Sequence, residues 1–191
     1  MPDLIIKPTT TSGNKLSLQD QAGGAVLTTA DSGATAANLT LASTTTFPAG
    51  HLLQVVGITP LTTNYTTADT DWSNKGSTDL LITPKESTSN IFLIATFTGY
   101  NTASAGTWNA DFYKNSSTVT ETYNLSGKTN GLSTQQGDAW TMATITYLDL
   151  RSVNDTNQLT YAISFRAANN TASIGGNTNY VTTLFAFEIM T

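Results

Sequence analysis

The chain has 191 residues, with 8 Lys and Arg against 13 Asp and Glu, a net charge of −5 and no cysteine. Scattered basic residues on an acidic chain argue against nucleic-acid binding by phosphate neutralisation, and the lack of cysteine excludes disulfides and thiolate metal sites. Charged residues make up only 11% of the chain, where about 25% is usual. The difference is filled by 38 Thr and 16 Asn. Thr suits the pleated, half-buried surface of a strand, and Asn with Gly supplies turns. The composition therefore predicts an all-β protein with a neutral, hydrogen-bonding surface. No apolar run approaches the ~20 residues of a membrane span. Met1-Pro2-Asp3 has no basic stretch and is followed by only three apolar residues, so no secretory leader and a soluble product made in a cytoplasm are expected.

All 17 aromatic residues lie from Phe47 onward. Residues 1–46 still alternate in short apolar pieces: Leu4-Ile5-Ile6, then Leu16 and Leu18, then Val26-Leu27. Strands are predicted at 4–7, 15–20, 25–28 and 38–41, separated by Ser12-Gly13-Asn14, Gln21-Ala22-Gly23-Gly24 and Asp31-Ser32-Gly33. The second and third read as a hairpin with a four-residue loop. Such a segment lacks the bulk for a core of its own. It reads as an extended anchoring arm that docks on another protein, with Leu4, Ile5, Ile6, Leu16, Leu18, Val26 and Leu27 as docking residues. Phe47-Pro-Ala-Gly is a linker over 47–50, in which Pro48 extends Phe47 and Gly50 permits a bend.

Residues 51–191 read as eight to ten strands forming a head domain. The candidates are 52–58, 64–67, 78–83, 90–100, 107–114, 118–125, 139–150, 158–167 and 180–190. The clearest has Leu159, Tyr161, Ile163 and Phe165 on a buried row and Thr160, Ala162, Ser164 and Arg166 on a wet one. In the last strand both rows are partly apolar, as in a central strand or one at a subunit interface. Leu184, Phe185, Phe187 and Met190 are the expected contacts between copies. Long strands separated by turn clusters fit an antiparallel β-sandwich, in particular a jelly roll.

Few residues offer chemistry. The only histidine is His51, at a predicted strand start, so no multi-histidine metal site is expected. The strand-borne carboxylates Asp111, Glu121, Asp149 and Glu188 stand apart in sequence and read as surface groups, not as a glycosidase pair. Asp69-Thr70-Asp71, with Asp79 nearby, has oxygen ligands that suit calcium, but a solvated turn is the plainer reading. Of Trp72, Trp108 and Trp140, the loop residue Trp72 is the candidate glycan contact. Trp140, Met142 and Leu148 share a strand face and read as core. No catalysis, cofactor or resident metal is expected.

Several stretches resemble virion proteins of tailed bacteriophages, particularly those of marine and cyanobacterial hosts. They are Gly13-Asn-Lys-Leu-Ser-Leu-Gln-Asp-Gln-Ala-Gly-Gly-Ala-Val-Leu-Thr running on to Asn38-Leu-Thr-Leu-Ala, then Phe47-Pro-Ala-Gly-His-Leu-Leu-Gln-Val-Val, Leu81-Ile-Thr-Pro-Lys-Glu-Ser-Thr-Ser-Asn-Ile-Phe-Leu-Ile and Phe185-Ala-Phe-Glu-Ile. The resemblance implies a fibre or capsid-decorating protein, commonly a trimer with a jelly-roll head, with no catalytic motif. The partners then expected are two further copies of the chain and, through the arm, the major capsid protein or another virion protein. A receptor-binding tail-fibre tip that recognises a host-surface glycan is the alternative.

Overall fold

The structure is a computed structural model that describes residues 17–19, 22, 25–30, 33–36, 49–58, 62–77, 79–151, 155–175 and 181–191. The chain divides into two compact units, 1–46 and 47–191. Among the described residues every regular element is a β-strand, and every pairing between strands is antiparallel.

The first unit contains a three-stranded sheet of β1 (Ser17–Gln19), β2 (Ala25–Ala30) and β3 (Gly33–Ala36), in that order. The hairpin expected around Gly23-Gly24 forms, with Leu18 opposite Leu27. Gly33, expected in a turn, instead begins β3 and pairs with Ala30. The predicted strands at 4–7 and 38–41, and the docking residues Leu4, Ile5, Ile6 and Leu16, lie outside the described residues.

The second unit holds eleven described strands: β4 (Leu52–Gly57), β5 (Asn64–Thr67), β6 (Asn74–Lys75), β7 (Leu80–Ile82), β8 (Asn90–Asn101), β9 (Thr107–Ser116), β10 (Ser133–Gln136), β11 (Thr141–Asp149), β12 (Leu159–Ala167), β13 (Ala172–Gly175) and β14 (Thr183–Ile189). In the first of its two sheets β8 is the central strand. One side of β8 pairs with β11, and the other pairs with β14 along its first half and β13 along its second. Beyond these lie β4, against β14, and β5, against β13. The second sheet runs β10–β9–β12, with β6 and β7 sharing the far side of β12.

One hydrophobic core is common to both sheets. The first contributes Ile91, Leu93, Ala95 and Phe97 from β8, Ala143 and Ile145 from β11, and Leu184 and Ala186 from β14. The second contributes Trp108, Ala110 and Phe112 from β9 and Leu159, Tyr161, Ile163 and Phe165 from β12. These are period-two rows, as the pleat requires. Each large apolar side chain buried there is worth about 1.5–3 kcal/mol. Phe97 and Trp108 meet across the sheets with ring centroids 5.9 Å apart.

Three expectations are corrected. The row Thr160, Ala162, Ser164, Arg166 is not wet, since Ala162 and Ser164 are fully buried. Tyr123, Ser126 and Trp72 cover that side of the second sheet by contacting Tyr113, Asp111 and Arg166. No strand spans 118–125: this stretch joins β9 through a bridge between Thr122 and Lys114 and a bond from the Leu125 N–H to the Phe112 carbonyl, then turns at Gly127 and Gly131. Met142 and Leu148 are not core residues; they are 70% and 44% exposed on the outer side of β11.

Candidate interaction surface

Pleating that sends Leu184 and Ala186 inward must send Phe185 and Phe187 outward. Cross-strand register then fixes what stands beside them. One row across the first sheet is Leu148, Phe92, Phe187 and Val55, and the next is Thr146, Ile94, Phe185 and Gly57. Ile189 and Leu52, opposite each other, extend the patch. None of these residues is charged. Phe187 lies 6.2 Å from Phe92 and 6.5 Å from Phe185 between ring centroids. Phe185 lies across Gly57, where an added Cβ would stand 2.6 Å from the ring.

This outer face is open. Leu52, Val55, Leu148 and Phe185 keep 40–49% of their surface exposed. Thr144 and Thr146 stand exposed on β11 beside the patch, while Leu81 and Met142 are exposed apolar residues elsewhere on the strands. A contiguous, largely apolar patch with three phenylalanines, Phe92, Phe185 and Phe187, makes this face the candidate interaction surface.

The residues expected to lie between copies therefore divide. Phe185 and Phe187 lie on the open face. Leu184 does not; it is fully buried in the protein's own core. Met190 follows β14 and is half-buried, its backbone tied to Gly50 and His51. Of the docking residues assigned to the arm, Leu18 lies in β1 and Val26 and Leu27 lie in β2.

Trp72 is half-buried. The Arg166 guanidinium sits 5.3 Å from its ring centroid, and a Cβ at Gly131 would come within 2.7 Å of the ring. Trp108, also weighed as a sugar platform, is in the core. Trp140 is half-buried against Tyr100, 4.4 Å between centroids. In the loop weighed for calcium, Asp69 accepts a bond from Ser73 and Asp79 is paired with Lys75 at 3.0 Å. Among the described residues no three His, Asp or Glu side chains stand close enough together to hold a metal ion. No helix among them is long and apolar enough to cross a membrane.

Three of the four strand carboxylates are not surface groups. Asp111 and Glu188 are fully buried and Asp149 nearly so. Glu188 accepts bonds from the backbone of Lys85 and Glu86, from the Ser89 hydroxyl and from Gln54. Burial alone raises a carboxyl pKa, but these donors outweigh it and hold Glu188 below its ordinary value. For Asp111 burial wins over bonds from Ser126 and the Phe112 N–H, and its pKa is raised. Asp149 forms a 2.6 Å ion pair with buried Lys114 and accepts a 2.5 Å bond from the Tyr161 hydroxyl. Glu121 alone is exposed, and bonds from Tyr113 (2.6 Å) and Tyr123 (3.1 Å) lower its pKa. Burial and this same carboxylate push the Tyr113 phenol up to about 12.

Strand parity in the sequence carried a signal for these buried charges. Asp149 continues the row Ala143, Ile145, Tyr147; Lys114 continues Trp108, Ala110, Phe112; Glu188 continues Leu184, Ala186. Reading the carboxylates by their separation in sequence missed that Asp149 and Glu188 each end a core row, and that Asp111 lies on the covered outer side of β9.

In comparisons with known proteins, no family model and no curated sequence matches the chain.

Proposed function

We propose that the protein is a structural component of a tailed-phage virion, a capsid-decoration (cement) or head-fibre protein. In this reading residues 1–46 are an arm that docks on the major capsid protein or another virion protein. Residues 51–191 form a jelly-roll head that assembles as a trimer through the outer face of its first sheet and acts by occupying a surface, without catalysis.

The observation that carries the reading is the uncharged face bearing Phe92, Phe185, Phe187 and Val55. A cover of identical copies satisfies it without requiring charge complementarity in a partner. The jelly-roll assignment is supported by strand order. With the short β5, β6 and β13 set aside, the sheets read β4–β14–β8–β11 and β7–β12–β9–β10. The chain enters the first at β4, crosses to the second at β7, returns for β8, crosses for β9 and β10, and keeps crossing through β11, β12 and β14. The threefold number and the virion placement come from the resemblance of the short stretches quoted above.

The alternative, a fibre tip that binds host glycan, depends on Trp72. Arg166 already occupies a face of that ring, so the structural role is the better supported. The test is the mass in solution by light scattering, followed by location on intact particles by cryo-electron microscopy. Three times 20.2 kDa and density on the capsid are the expected results. A monomer at micromolar concentration removes the trimer, and density confined to the tail tip replaces the capsid role with the glycan one.

A further inference from the structure

We propose that Lys114 and Asp149 condense to an intramolecular amide that joins the two sheets covalently. Lys114 is in β9 of the second sheet and Asp149 ends β11 of the first. Nζ stands 2.6 Å from Oδ2, and the two side chains are only 6% and 8% exposed. Tyr161, directly across the strand pair from Lys114, donates its hydroxyl to the same Oδ2 at 2.5 Å. A nucleophile, an electrophile and a proton donor thus converge on one carboxyl group inside the core.

Two features favour condensation over a lasting ion pair. A buried ion pair carries a desolvation cost that its mutual attraction only partly offsets, while an amide has no charge to desolvate. Two sheets packed on one core also keep the amine beside the carboxyl, replacing a bimolecular encounter by a fixed one. The step needs no outside reagent. A proton passes from the ammonium to the carboxylate, giving amine and acid. The amine lone pair attacks Cγ and the C–N bond forms. The Cγ–Oδ2 bond breaks as Oδ2 takes the Tyr161 proton and leaves as water. The nitrogen gives up a proton to restore Tyr161. Ammonium and carboxylate become one secondary amide and one water, and charge balances throughout. In a chain without cysteine, this bond would take the place of a disulfide across the core.

The test is the intact mass of the purified full-length protein under denaturing conditions. The expected value is one water below the sequence mass, with a branched tryptic peptide joining Lys114 to Asp149. Lys114→Arg keeps the positive charge but lacks the nucleophile, and is expected at its full sequence mass. Tyr161→Phe is expected to slow linkage by about 100-fold, the usual effect of a lost general acid. A wild-type protein at its full sequence mass overturns the proposal. So does a water loss that maps to other residues or persists in Lys114→Arg. Linkage at the wild-type rate in Tyr161→Phe overturns the assignment of the acid.

Discussion

Glu188 is placed by strand parity and kept charged by its neighbours. It lies on the core side of β14, yet two backbone N–H groups, a hydroxyl and an amide all donate to it. Those donors belong to residues 85–89 and to β4, so one carboxylate ties a loop and two strands together. Glu188→Gln keeps the shape but replaces an acceptor oxygen with a donor, and a loss of about 2 kcal/mol in chemical unfolding is expected. The pH dependence has a definite sign. The folded pKa lies below the ordinary 4.5 of a glutamate, so the stabilisation is fully present above that value and is lost as pH falls through the folded pKa. Asp111 acts in the opposite sense, because its folded pKa is raised above 3.8. Its contribution is most favourable below that value and is lost as pH rises through the folded one. Melting curves between about pH 3 and about pH 7 should therefore show a shallower acid-side loss in Glu188→Gln than in the wild type. An equal acid limb in both proteins removes Glu188 as its source. Gly99 is constrained by contact alone. A Cβ there would stand 2.7 Å from the buried Trp108 indole, so Gly99→Ala is expected to cost about 1–3 kcal/mol of stability by overpacking.

At the scale of elements, β14 shows what alternation does and does not reveal. Its sequence has two apolar rows, and parity separates Leu184 and Ala186 from Phe185 and Phe187 without saying which row faces inward. The row with the smaller residues and Glu188 is the inward one, because Glu188 has to meet the donors of the 85–89 loop. The larger aromatics are left on the outer face, which the proposed trimer would cover. Phe187→Glu places a charge in the middle of the open face. It is expected to yield a monomer by light scattering while changing the melting temperature of the monomeric fold little. A charged variant with the wild-type mass would move the interface elsewhere. The long strands β8, β9, β11 and β12 were legible because nine or more residues of alternation outweigh local noise. β6, β10 and β13 span two to four residues, and pairing with longer neighbours imposes their conformation; β5, also four residues, was legible at 64–67. The stretch 118–125 has strand-forming residues but is pulled into turns by the positive-φ glycines that follow it. The open face itself was only half legible, since Val55, Phe92 and Ile94 join it through register between strands distant in sequence.

At the scale of the whole molecule, all the aromatic residues fall in the second unit. Every residue of the hydrophobic core among the described residues lies between Val56 and Ala186. The first 46 residues supply no aromatic side chain. Deleting them removes none of those core residues. The shortened chain is expected to melt within a few degrees of the full-length protein and to keep its oligomeric mass, because the face formed by β4, β14, β8 and β11 remains. What it should lose is attachment. Purified particles lacking the protein, incubated with each form, are expected to take up the full-length chain and not the shortened one. This separates two roles that a simple loss of particle binding would confuse. A shortened chain that is folded and trimeric but unbound assigns docking to the arm. One that binds at normal occupancy places docking in the head and leaves residues 1–46 without the anchoring role. One that falls to monomers shows that the arm, and not the aromatic face, holds the copies together.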